Sequence, residues 1–557
     1  MAGSDGQAEL VFCPLGGVGE IGMNLALYGY GPANAREWII VDCGVTFPGP
    51  DLPGVDLVLP DIRFVEENIG SLRGVVITHA HEDHYGALLD LWPRLKTQVW
   101  MTPFTAGLLD AKRRSESGAP DVPVVIYKAG ERFSVGPFEI EAVPVAHSIP
   151  EPMSLVIRTP AGTLVHTGDW KIDLAPEIGP KTDEARFREI GDEGVLAMMC
   201  DSTNAMRDGQ SPTEQAVGEG LRKVIEAAAG RVAVTTFSSN VGRIRSIAEA
   251  ARDCGRSVLV LGRSLKRVID VSTELGYLDG LPEFIAEDEY SAVPRENLVI
   301  LCTGSQGEPR AALAKLARDE MRSVALSPGD TVVFSSRVIP GNEKAIIEIK
   351  NQLIEQGVLI VEDGDALVHV SGHPRRGELQ QMYSWVRPKV LVPVHGEAAH
   401  LVAQGSLAAM SGVPHVAQVR NGDMLRLAPG DPEIVDQVPF GRVYKDGRLI
   451  GSEEEMGIRD RRKLSYVGHV AVNVVLDDRH ELAGDPDLEA IGVAELDRRG
   501  EPLEEIMLDA AIGAVESIPR VRRKDLDLVA ESVRRAVRAA ANESWGKKPV
   551  VTVFVTR

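Results

Sequence analysis

The sequence predicts an α/β protein with more than one domain, and three observations support that prediction. The chain has 557 residues, of which 44% are apolar, which is enough for several hydrophobic cores. Short apolar runs alternate with turns over roughly the first 210 residues, as in a strand-rich domain. From about residue 216 helical and strand-like segments alternate, which is typical of a parallel sheet flanked by helices.

The first domain, expected over residues 1–215, contains a turn that is dense in metal-binding side chains. The apolar run VVIT leads into THAHEDHY, which holds His79, His81, Asp83 and His84. A turn at the carboxyl end of a strand is where an α/β sheet usually forms its site. Asp83 and His84 are adjacent and must diverge, which favours two metal ions over one. Nitrogen and oxygen donors of this kind suit zinc or manganese.

Five further residues of ligand type each follow an apolar run that is predicted to be a strand. Any one of them could equally be structural. Together, at strand ends and with the histidine-rich turn beside them, they are expected to converge on one edge of the fold. They are Asp42, His147, Asp169, Asp201 and His395.

The helix–strand alternation marks an inserted domain over residues 216–372. His395 must rejoin the first domain to complete the metal site, so residues 373–432 are predicted to be the second part of that domain. The polar and charged stretch 433–464 is predicted to be a linker. Residues 465–557 combine strand-like and helical runs without a ligand cluster, which indicates a small α+β domain for assembly or support.

Composition restricts the class of protein. The net charge of −21, from 60 basic and 81 acidic residues, argues against a protein that coats nucleic acid non-specifically, although a local basic channel would still serve a nuclease. The five cysteines are scattered without a C-x-x-C pair, so neither disulfides nor a cysteine zinc site is expected. No apolar run is long enough to span a membrane and the amino terminus lacks a signal-peptide pattern, so a cytoplasmic protein is predicted.

The order of these acidic and histidine motifs resembles the metallo-β-lactamase superfamily. Asp201 in CDSTN, His369 in ALVHVSGHP and His395 in PVHGE resemble motifs A, B and C of the β-CASP nucleases. Within that group, the phrases CPLGGVGEIGMN, THAHEDHYGA, TGDWKID, TGSQGEP, VIPGNE and VHVSGHPRRGEL are similar to the bacterial ribonuclease J family. The resemblance implies a metallo-β-lactamase αββα sandwich with an inserted β-CASP α/β domain and a small C-terminal α+β domain.

The resemblance also implies a set of metal ligands. Two divalent metal ions are expected, zinc by preference, with manganese or magnesium as alternatives. The ligands of the first metal would be His79, His81 and His147, those of the second Asp83, His84 and His395, and Asp169 would bridge the two.

Catalytic roles follow in the same way. Asp42 and Asp201 would orient ligand imidazoles and fix their tautomers. His369 would stabilise charge or donate a proton at the leaving oxygen. The residues expected to carry catalysis are Asp83, His84, His369 and Asp201.

A further set of residues is suited to binding a phosphate at the 5′ end of a substrate. Short hydroxyls and glycine amides can surround a phosphate, and arginine pairs with one bidentately. The residues, placed by resemblance at the β-CASP interface, are Ser238, Ser239, Ser336, Arg337, His369, Val370, Ser371, Gly372 and His373. Two positions depart from the family: a histidine is common near Gly242, where it bears on one substrate contact, and Pro374 replaces the alanine of SGHA.

The function implied is a metal-dependent ribonuclease with 5′-to-3′ exonuclease activity, which prefers 5′-monophosphate ends, and with endonuclease activity, acting in the decay and maturation of mRNA and rRNA. A hydroxide activated by two metals would attack in line and leave a 5′-phosphate on the product. This chemistry does not use a 2′-hydroxyl, so the choice of RNA rests on the resemblance.

Three alternatives remain open. A small-molecule hydrolase of the superfamily would have no use for an insertion as large as residues 216–372. A DNA-directed β-CASP nuclease would share the whole ligand set. A metal-stabilised scaffold would normally show a damaged ligand set, and this one is complete. The expected partners are RNA, further copies of the chain in a homodimer or homotetramer, and other RNA-decay enzymes or the ribosome, with no membrane.

Overall fold

The computed structural model describes residues 6–339 and 341–557. Residues 1–5 of the predicted first domain and Pro340 of the VIPGNE motif lie outside the described residues. The chain divides into two compact units. One runs up to Phe47 and includes Leu57–Val443, and the other consists of Pro48–Asp56 and Tyr444–Arg557. Within the described part of the chain, no helix is both long and apolar enough to cross a membrane.

The amino-terminal part of the first unit is rich in strands, as its short apolar runs predict. The strands are β1 (Glu9–Gly16), β2 (Val18–Gly19), β3 (Leu25–Gly31), β4 (Glu37–Val41), β5 (Leu57–Pro60), β6 (Leu72–Val76), β7 (Val99–Met101), β8 (Val124–Ile126), β9 (Arg132–Val135), β10 (Phe138–Pro144), β11 (Met153–Thr159), β12 (Gly162–His166) and β13 (Ala197–Asp201). The helices are α1 (Arg63–Glu67), α2 (Glu82–Tyr85), α3 (Leu88–Leu95), α4 (Pro103–Ser115) and α5 (Glu184–Glu193).

The insertion alternates helices and strands in the predicted way. Its elements are α6 (Glu214–Ala227), β14 (Val232–Thr235), α7 (Val241–Asp253), β15 (Ser257–Leu261), α8 (Arg263–Glu274), β16 (Leu298–Cys302), α9 (Ala312–Ala317), β17 (Thr331–Phe334), α10 (Glu343–Glu355) and β18 (Leu359–Val361). The strands form a parallel sheet in the order β15-β16-β14-β17-β18. Buried Val217, Leu221 and Ile225 recur every fourth residue along α6, which explains why this segment packs as a helix.

The chain then returns to the first domain. The returning elements are α11 (Arg376–Val386), β19 (Val390–Val394), β20 (Gly396–Glu397), α12 (Ala398–Met410), β21 (His415–Val416), β22 (Asp423–Ala428) and β23 (Glu433–Gln437). Strand β19 runs parallel to β13 with Val394 opposite Asp201. Because parallel strands end at the same edge of a sheet, this pairing brings His395 beside Asp201.

Two large sheets form the centre of the first unit. One has the order β23-β22-β1-β3-β4-β6-β7-β8, and the other β21-β19-β13-β12-β11-β10-β9. Phe12 and Tyr28 of the first sheet share a hydrophobic core with Ile140 and Leu155 of the second. Helices α3 and α4 pack outside the first sheet, and α5 and α11 pack outside the second. The predicted αββα sandwich with its inserted α/β domain is confirmed.

From Arg442 onward the chain forms further elements. They are β24 (Arg442–Asp446), β25 (Leu449–Gly451), α13 (Ile458–Val467), β26 (His469–Val475), β27 (Asp487–Ile491), α14 (Leu503–Ser517), α15 (Leu526–Trp545) and β28 (Val550–Thr556). The sheet β27-β26-β28 shares a hydrophobic core with α14 and α15, which confirms the small α+β domain.

The stretch 433–464, predicted to be a linker from its polar and charged composition, has regular secondary structure. That stretch contains β23, β24, β25 and the first residues of α13. All five side chains of β23 are exposed, although its backbone pairs with β22. The polar composition of β23 therefore reflects an edge strand whose side chains face water.

Candidate metal centre

The histidine-rich turn directly follows β6 and divides its side chains between two groups of potential ligands. His79 is completely buried beyond the end of the strand, and the short helix α2 then carries Asp83 and His84. His79 and His81 belong to one group of potential ligand atoms, whereas Asp83 and His84 belong to another. The divergence expected of the adjacent Asp83 and His84 is wrong, because both belong to the same group. The side chains instead separate between the two halves of the turn, with His79 and His81 on one side and Asp83 and His84 on the other.

The first group consists of His79, His81, His147 and Asp169, with ligand atoms that all lie within 4.8 Å of one another. His81 Nδ1 lies 3.0 Å from His79 Nε2 and 3.1 Å from His147 Nε2. Both Nε2 atoms lie 3.7 Å from Asp169 Oδ2. Three imidazole nitrogens and a carboxylate oxygen around one centre form a donor set that suits zinc.

The second group consists of Asp83, His84, His395 and the same Asp169. His84 Nε2 lies 3.2 Å from Asp169 Oδ2 and 3.6 Å from Asp83 Oδ2. His395 Nε2 lies 3.5 Å and 3.8 Å from the same two oxygens. Asp169 Oδ2 is thus common to both groups, in the position of a bridging ligand.

Asp42 supports both groups from the end of β4, where it has a φ of 64°. Its Oδ2 accepts a hydrogen bond from His84 Nδ1 at 2.7 Å, and its Oδ1 accepts one from the backbone N–H of Thr78 at 2.8 Å. The Thr78 hydroxyl lies 3.0 Å from His79 Nδ1. These contacts assign the proton of each ring to Nδ1, so that Nε2 is left with its lone pair for a metal.

Asn24 orients His395, and this role was not predicted from the sequence. His395 has a φ of 51°, and its Nδ1–H donates to Asn24 Oδ1 at 2.9 Å while its backbone N–H donates to the Gly17 carbonyl at 2.7 Å. A Cβ on Gly17 would lie 2.2 Å from Asn24 Oδ1. The sequence feature that could have indicated this role is the glycine-rich phrase GGVGEIGMN, because its turn brings Asn24 to the site.

His147 is held from the other side by Gly372. Its Nδ1–H donates to the Gly372 carbonyl at 2.7 Å, which again leaves Nε2 free for a metal. A Cβ on Gly372 would lie 2.6 Å from both Cε1 and Nδ1 of His147. The structure therefore places Gly372, predicted to bind phosphate, against a metal-group imidazole.

The residues present fit divalent cations. Asp169 Oδ1 is buried without a hydrogen-bond partner, which is costly for a carboxylate oxygen unless a cation satisfies it. Burial lowers the pKa of His79 and His147 well below the usual range, and lowers that of His81 to about 4. Neutral imidazoles keep the lone pairs that metal binding requires. Burial also lowers the pKa of His84, but Asp169 and the other nearby carboxylates raise it further, so the net shift is upward.

His373 lies in this site, whereas His369 does not belong to any of its ligand groups. His373 Nδ1–H donates to Asp201 Oδ2 at 2.7 Å, and its ring is 5.1 Å from that of His147 and 5.6 Å from that of His395, centre to centre. Burial opposes protonation, but Asp201 and Asp169 raise the pKa of His373 to about 9.

The surroundings of His369 and Asp201 bear on the roles expected of them. The sequence predicts that His369 stabilises charge or donates a proton, and burial and the charge of Arg243 lower the pKa of His369 to about 3, which disfavours a protonated imidazole at neutral pH. Its Nδ1 is buried without a partner, which leaves it available to a ligand. The sequence also predicts that Asp201 orients a ligand imidazole, and its Oδ2 accepts a hydrogen bond from Nδ1 of His373, which belongs to a third group of potential ligands with Asp169, Asp201 and His395.

The segments predicted to bind phosphate meet at the carboxyl edge of the inserted sheet. Ser238 and Ser239 follow β14, and Ser336 and Arg337 follow the adjacent parallel strand β17. The neighbouring Ser335 donates its hydroxyl to the Val368 carbonyl at 2.7 Å, which brings the segment that contains His369 to the same edge. Ser371 lies further along this segment, where its hydroxyl accepts a hydrogen bond from Asn204 Nδ2 at 2.9 Å. The side chain of Val370 is buried, so any polar contact from this residue must come from its backbone.

A buried ionic network lies beside His369 and was also not predicted. Arg243 is completely buried, and its guanidinium donates to Glu214 Oε2 at 2.7 Å and to Ser335 Oγ at 2.6 Å. Glu214 Oε1 accepts from Lys171 Nζ at 3.2 Å. The network joins the two parts of the first unit, because Lys171 belongs to the sandwich whereas Glu214 and Arg243 belong to the insertion.

The sequence matches four family profiles in succession along the chain. They are the beta-lactamase superfamily domain over residues 37–236, the ribonuclease J beta-CASP domain over 229–353, the Zn-dependent metallo-hydrolase RNA specificity domain over 365–418 and the ribonuclease J C-terminal domain over 456–557. Ribonuclease J of Sinorhizobium meliloti is 65% identical over 549 residues, which cover 99% of this chain and 97% of the relative. The chain belongs to the ribonuclease J family.

More distant relatives agree over nearly the full length. Ribonuclease J of Mycolicibacterium smegmatis is 38% identical, with 97% of this chain and 96% of the relative covered. Ribonuclease J of Thermus thermophilus is 34% identical, with 99% and 96% covered. A crystal structure of an Enterococcus faecalis protein of unknown function has a TM-score of 0.52 at 15% identity, covers 75% of this chain and 100% of its own, and supports the fold alone. Family membership, with the buried ligand groups, makes this chain a metal-dependent ribonuclease.

Proposed function

We propose that this ribonuclease removes nucleotides from the 5′ end of RNA and also cuts RNA internally, using two zinc ions in a single active site. The observation that best supports the proposal is the shared carboxylate of Asp169, whose Oδ2 lies 3.7 Å from His79 Nε2 and 3.2 Å from His84 Nε2. An oxygen common to two ligand groups suits a pair of cations that share one phosphodiester. The nitrogen and oxygen donors suit zinc, with manganese and magnesium as the alternatives.

The chain's own residues position the reaction. Two divalent ions held by the ligand groups around Asp169 would supply an activated water and would neutralise the charge that develops on the phosphoryl oxygens. Asp42 and Asn24 hold the imidazoles of His84 and His395 with their ligand nitrogens directed inward. The oxygen of a water molecule would bond to phosphorus as the bond between phosphorus and the 3′ oxygen breaks. The water would lose a proton and the 3′ oxygen would gain one, which gives a 3′-hydroxyl on one product and a 5′-phosphate on the other.

We assign proton donation to His373. Its hydrogen bond to Asp201 fixes the ring and keeps a proton on Nδ1, so the opposite ring nitrogen is the one that can serve the substrate. The leaving 3′ oxygen needs a proton as the bond breaks, and a histidine that lies between the imidazoles of His147 and His395 is well placed to provide it.

The side chains predicted to line the phosphate pocket support a preference for 5′-monophosphate. The buried, unpartnered Nδ1 of His369 and the hydroxyls of Ser238, Ser239 and Ser336 lie on segments that meet at one sheet edge. Neutral donors of this kind suit a single phosphate, whereas a triphosphate would bring two more charged groups that need cationic partners.

Digestion of matched substrates tests the proposal. Metal-stripped protein, with zinc, manganese or magnesium added back, would be given a 5′-monophosphorylated RNA, its 5′-triphosphorylated form and the matching DNA. We expect mononucleotides to be released fastest from the monophosphorylated RNA, and Asp83→Ala to abolish exonuclease and endonuclease activity together. Asp253→Ala, which changes an exposed acid at the end of α7, is the matched control. Equal cleavage of DNA, or one activity surviving Asp83→Ala, would contradict the proposal.

The C-terminal α+β domain is the part of the chain to which we assign self-association. We propose a cytoplasmic homodimer or homotetramer, assembled through residues 465–557, which acts with other RNA-decay enzymes or at the ribosome. The separate hydrophobic core of the C-terminal sheet and of α14 and α15 supports an independent role for this part of the chain. Sedimentation of the full chain at micromolar concentration should show an oligomer, and a monomer would contradict the proposed assembly.

A further inference from the structure

Three arginines that neither metal group uses lie together beside the active site. They are Arg207, Arg337 and Arg375, each at least partly exposed to solvent. Arg337 donates from its guanidinium to Asn204 Oδ1 at 3.3 Å. The amide of Asn204 donates in turn to the His373 carbonyl at 3.1 Å. The side chain of Asn204 therefore links Arg337 to His373, the residue to which we assign proton donation.

Backbone hydrogen bonds bring the other two arginines to the same place. The N–H of Arg207 donates to the Asn204 carbonyl at 2.9 Å, and the carbonyl of Arg207 accepts from the N–H of Arg376 at 2.9 Å. The segment 204–207 thus lies along the segment 371–376, which contains Arg375. Three separate parts of the chain converge on this arginine cluster.

The cluster lacks the internal charge partners that other arginines of this chain have. In the described part of the chain, neither Arg207, Arg337 nor Arg375 forms a salt bridge, whereas the adjacent Arg376 pairs with Asp208 at 3.1 Å. Burial and then the charge of Arg375 lower the pKa of Arg207. Burial and then the charges of Arg207 and Arg375 lower the pKa of Arg337. Asp363 opposes these shifts in both residues without forming an ion pair with either.

Such an arrangement is unfavourable unless an anion binds. Like charges held close together repel one another, and a phosphate relieves that repulsion while it accepts bidentate hydrogen bonds from guanidinium groups. The whole chain carries a net charge of −21, so this local concentration of positive charge does not reflect a generally basic surface.

We infer that Arg207, Arg337 and Arg375 form a binding site for a backbone phosphate of the RNA strand next to the active site. The inference rests on the proposed function for the identity of its ligand. The three guanidinium groups would position the strand and would add affinity that does not depend on base sequence, because phosphates are the same at every nucleotide. Arg337, which the sequence assigns to the predicted pocket, would then serve the backbone of the strand together with Arg207 and Arg375, whereas the hydroxyls of Ser238, Ser239 and Ser336 would serve its end.

The salt dependence of RNA binding tests the inference. A fluorescently labelled, single-stranded oligouridylate would be titrated with metal-stripped full-length protein, so that no cleavage occurs, over a range of KCl concentrations. We expect Arg207→Gln and Arg375→Gln each to raise Kd about tenfold, and the slope of log Kd against log [KCl] to fall by about 0.7 for each phosphate that the variant no longer neutralises. Arg375→Lys should retain most of the slope, because it keeps the charge.

Arg376→Gln is the matched control, because the charge of Arg376 is already paired with Asp208. If the Arg207 and Arg375 variants change the slope no more than this control, the inference is overturned. Circular dichroism excludes unfolding as the cause of weaker binding. RNA cleavage by the metal-loaded wild-type protein is measured separately. If the protein cleaves RNA but the arginine variants leave the slope of log Kd against log [KCl] unchanged, only this phosphate site is refuted. If the variants lower that slope but the wild-type protein cleaves no RNA, only the proposed function is refuted.

Discussion

Adding one methyl group at Gly372 should disable the first metal group without touching a ligand-donating atom directly. The backbone of Gly372 does not have the positive φ that would disfavour alanine. The new Cβ would lie 2.6 Å from Cε1 and Nδ1 of His147, whereas ordinary contact begins at 3.4 Å, so one of the two groups must move by about 0.8 Å (3.4 minus 2.6). Metal–ligand distances tolerate only about 0.2 Å. We therefore expect zinc affinity at this group to fall about 100-fold.

A competition titration with a chromophoric zinc chelator measures this effect on metal-stripped Gly372→Ala without any RNA present. The weakening should be confined to one of the two bound ions, because the new Cβ displaces His147, which belongs to the first group and not to the second. Gly242→Ala is the matched control. Its Cβ would meet its nearest neighbours, in Glu177 and Ile178, at 3.5 Å, an ordinary contact. If Gly372→Ala is folded and binds two zinc ions as tightly as the wild type, the reasoning from this contact is refuted.

Four further changes test other parts of the site. Asp42→Asn removes the charge beside His84 Nδ1 and should lower zinc affinity about 10- to 100-fold; unchanged competition titrations would contradict this. His373→Gln should lower kcat for RNA cleavage about 10²- to 10⁴-fold while two zinc ions stay bound, and loss of a metal would instead make His373 a ligand. Arg243→Gln leaves Glu214 short of a buried partner and should lower the free energy of unfolding by about 3–5 kcal/mol in urea at pH 7; a decrease below about 1 kcal/mol would count against the network. Burial raises the pKa of Glu214, but Arg243 and a buried lysine outweigh it and bring it to about 2 from 4.5, so this carboxylate stabilises the fold above about pH 4.5 and ceases to do so as the pH falls toward 2. Glu214→Gln should remove that acid-dependent part of the urea midpoint, and an unchanged profile would contradict the shift.

Much of the site could be predicted because its chemistry is local. A histidine or aspartate directly after a short apolar run lies at a strand end, and parallel strands bring such ends together. For this reason Asp169, His147 and His395 could be named from the sequence, and the structure brings them together with the histidine-rich turn. The inserted sheet was predictable in the same way, since helix and strand periods alternate along it.

Partners that are distant in sequence could not be predicted. Asn24 contacts His395 across 371 residues, and His373 contacts Asp201 across 172. Both pairs depend on how the sheets pack, and no periodicity in the sequence specifies that. The two histidines of VHVSGHP illustrate the limit. They are four residues apart and identical in type, yet burial and a neighbouring arginine lower the pKa of His369, whereas neighbouring aspartates raise the pKa of His373 despite its burial.

The chemical identity of the site is therefore a property of the sequence, because the ligand types and the strands that carry them are written in short contiguous segments. The assignment of roles is a property of the folded chain. Contacts between distant segments decide which histidine keeps a proton, which glycine must lack a side chain and which arginines have no internal charge partner. Only tertiary packing brings those segments within about 3 or 4 Å of one another. The local sequence determines which chemical groups the site contains, and contacts with residues distant in sequence determine the role of each group.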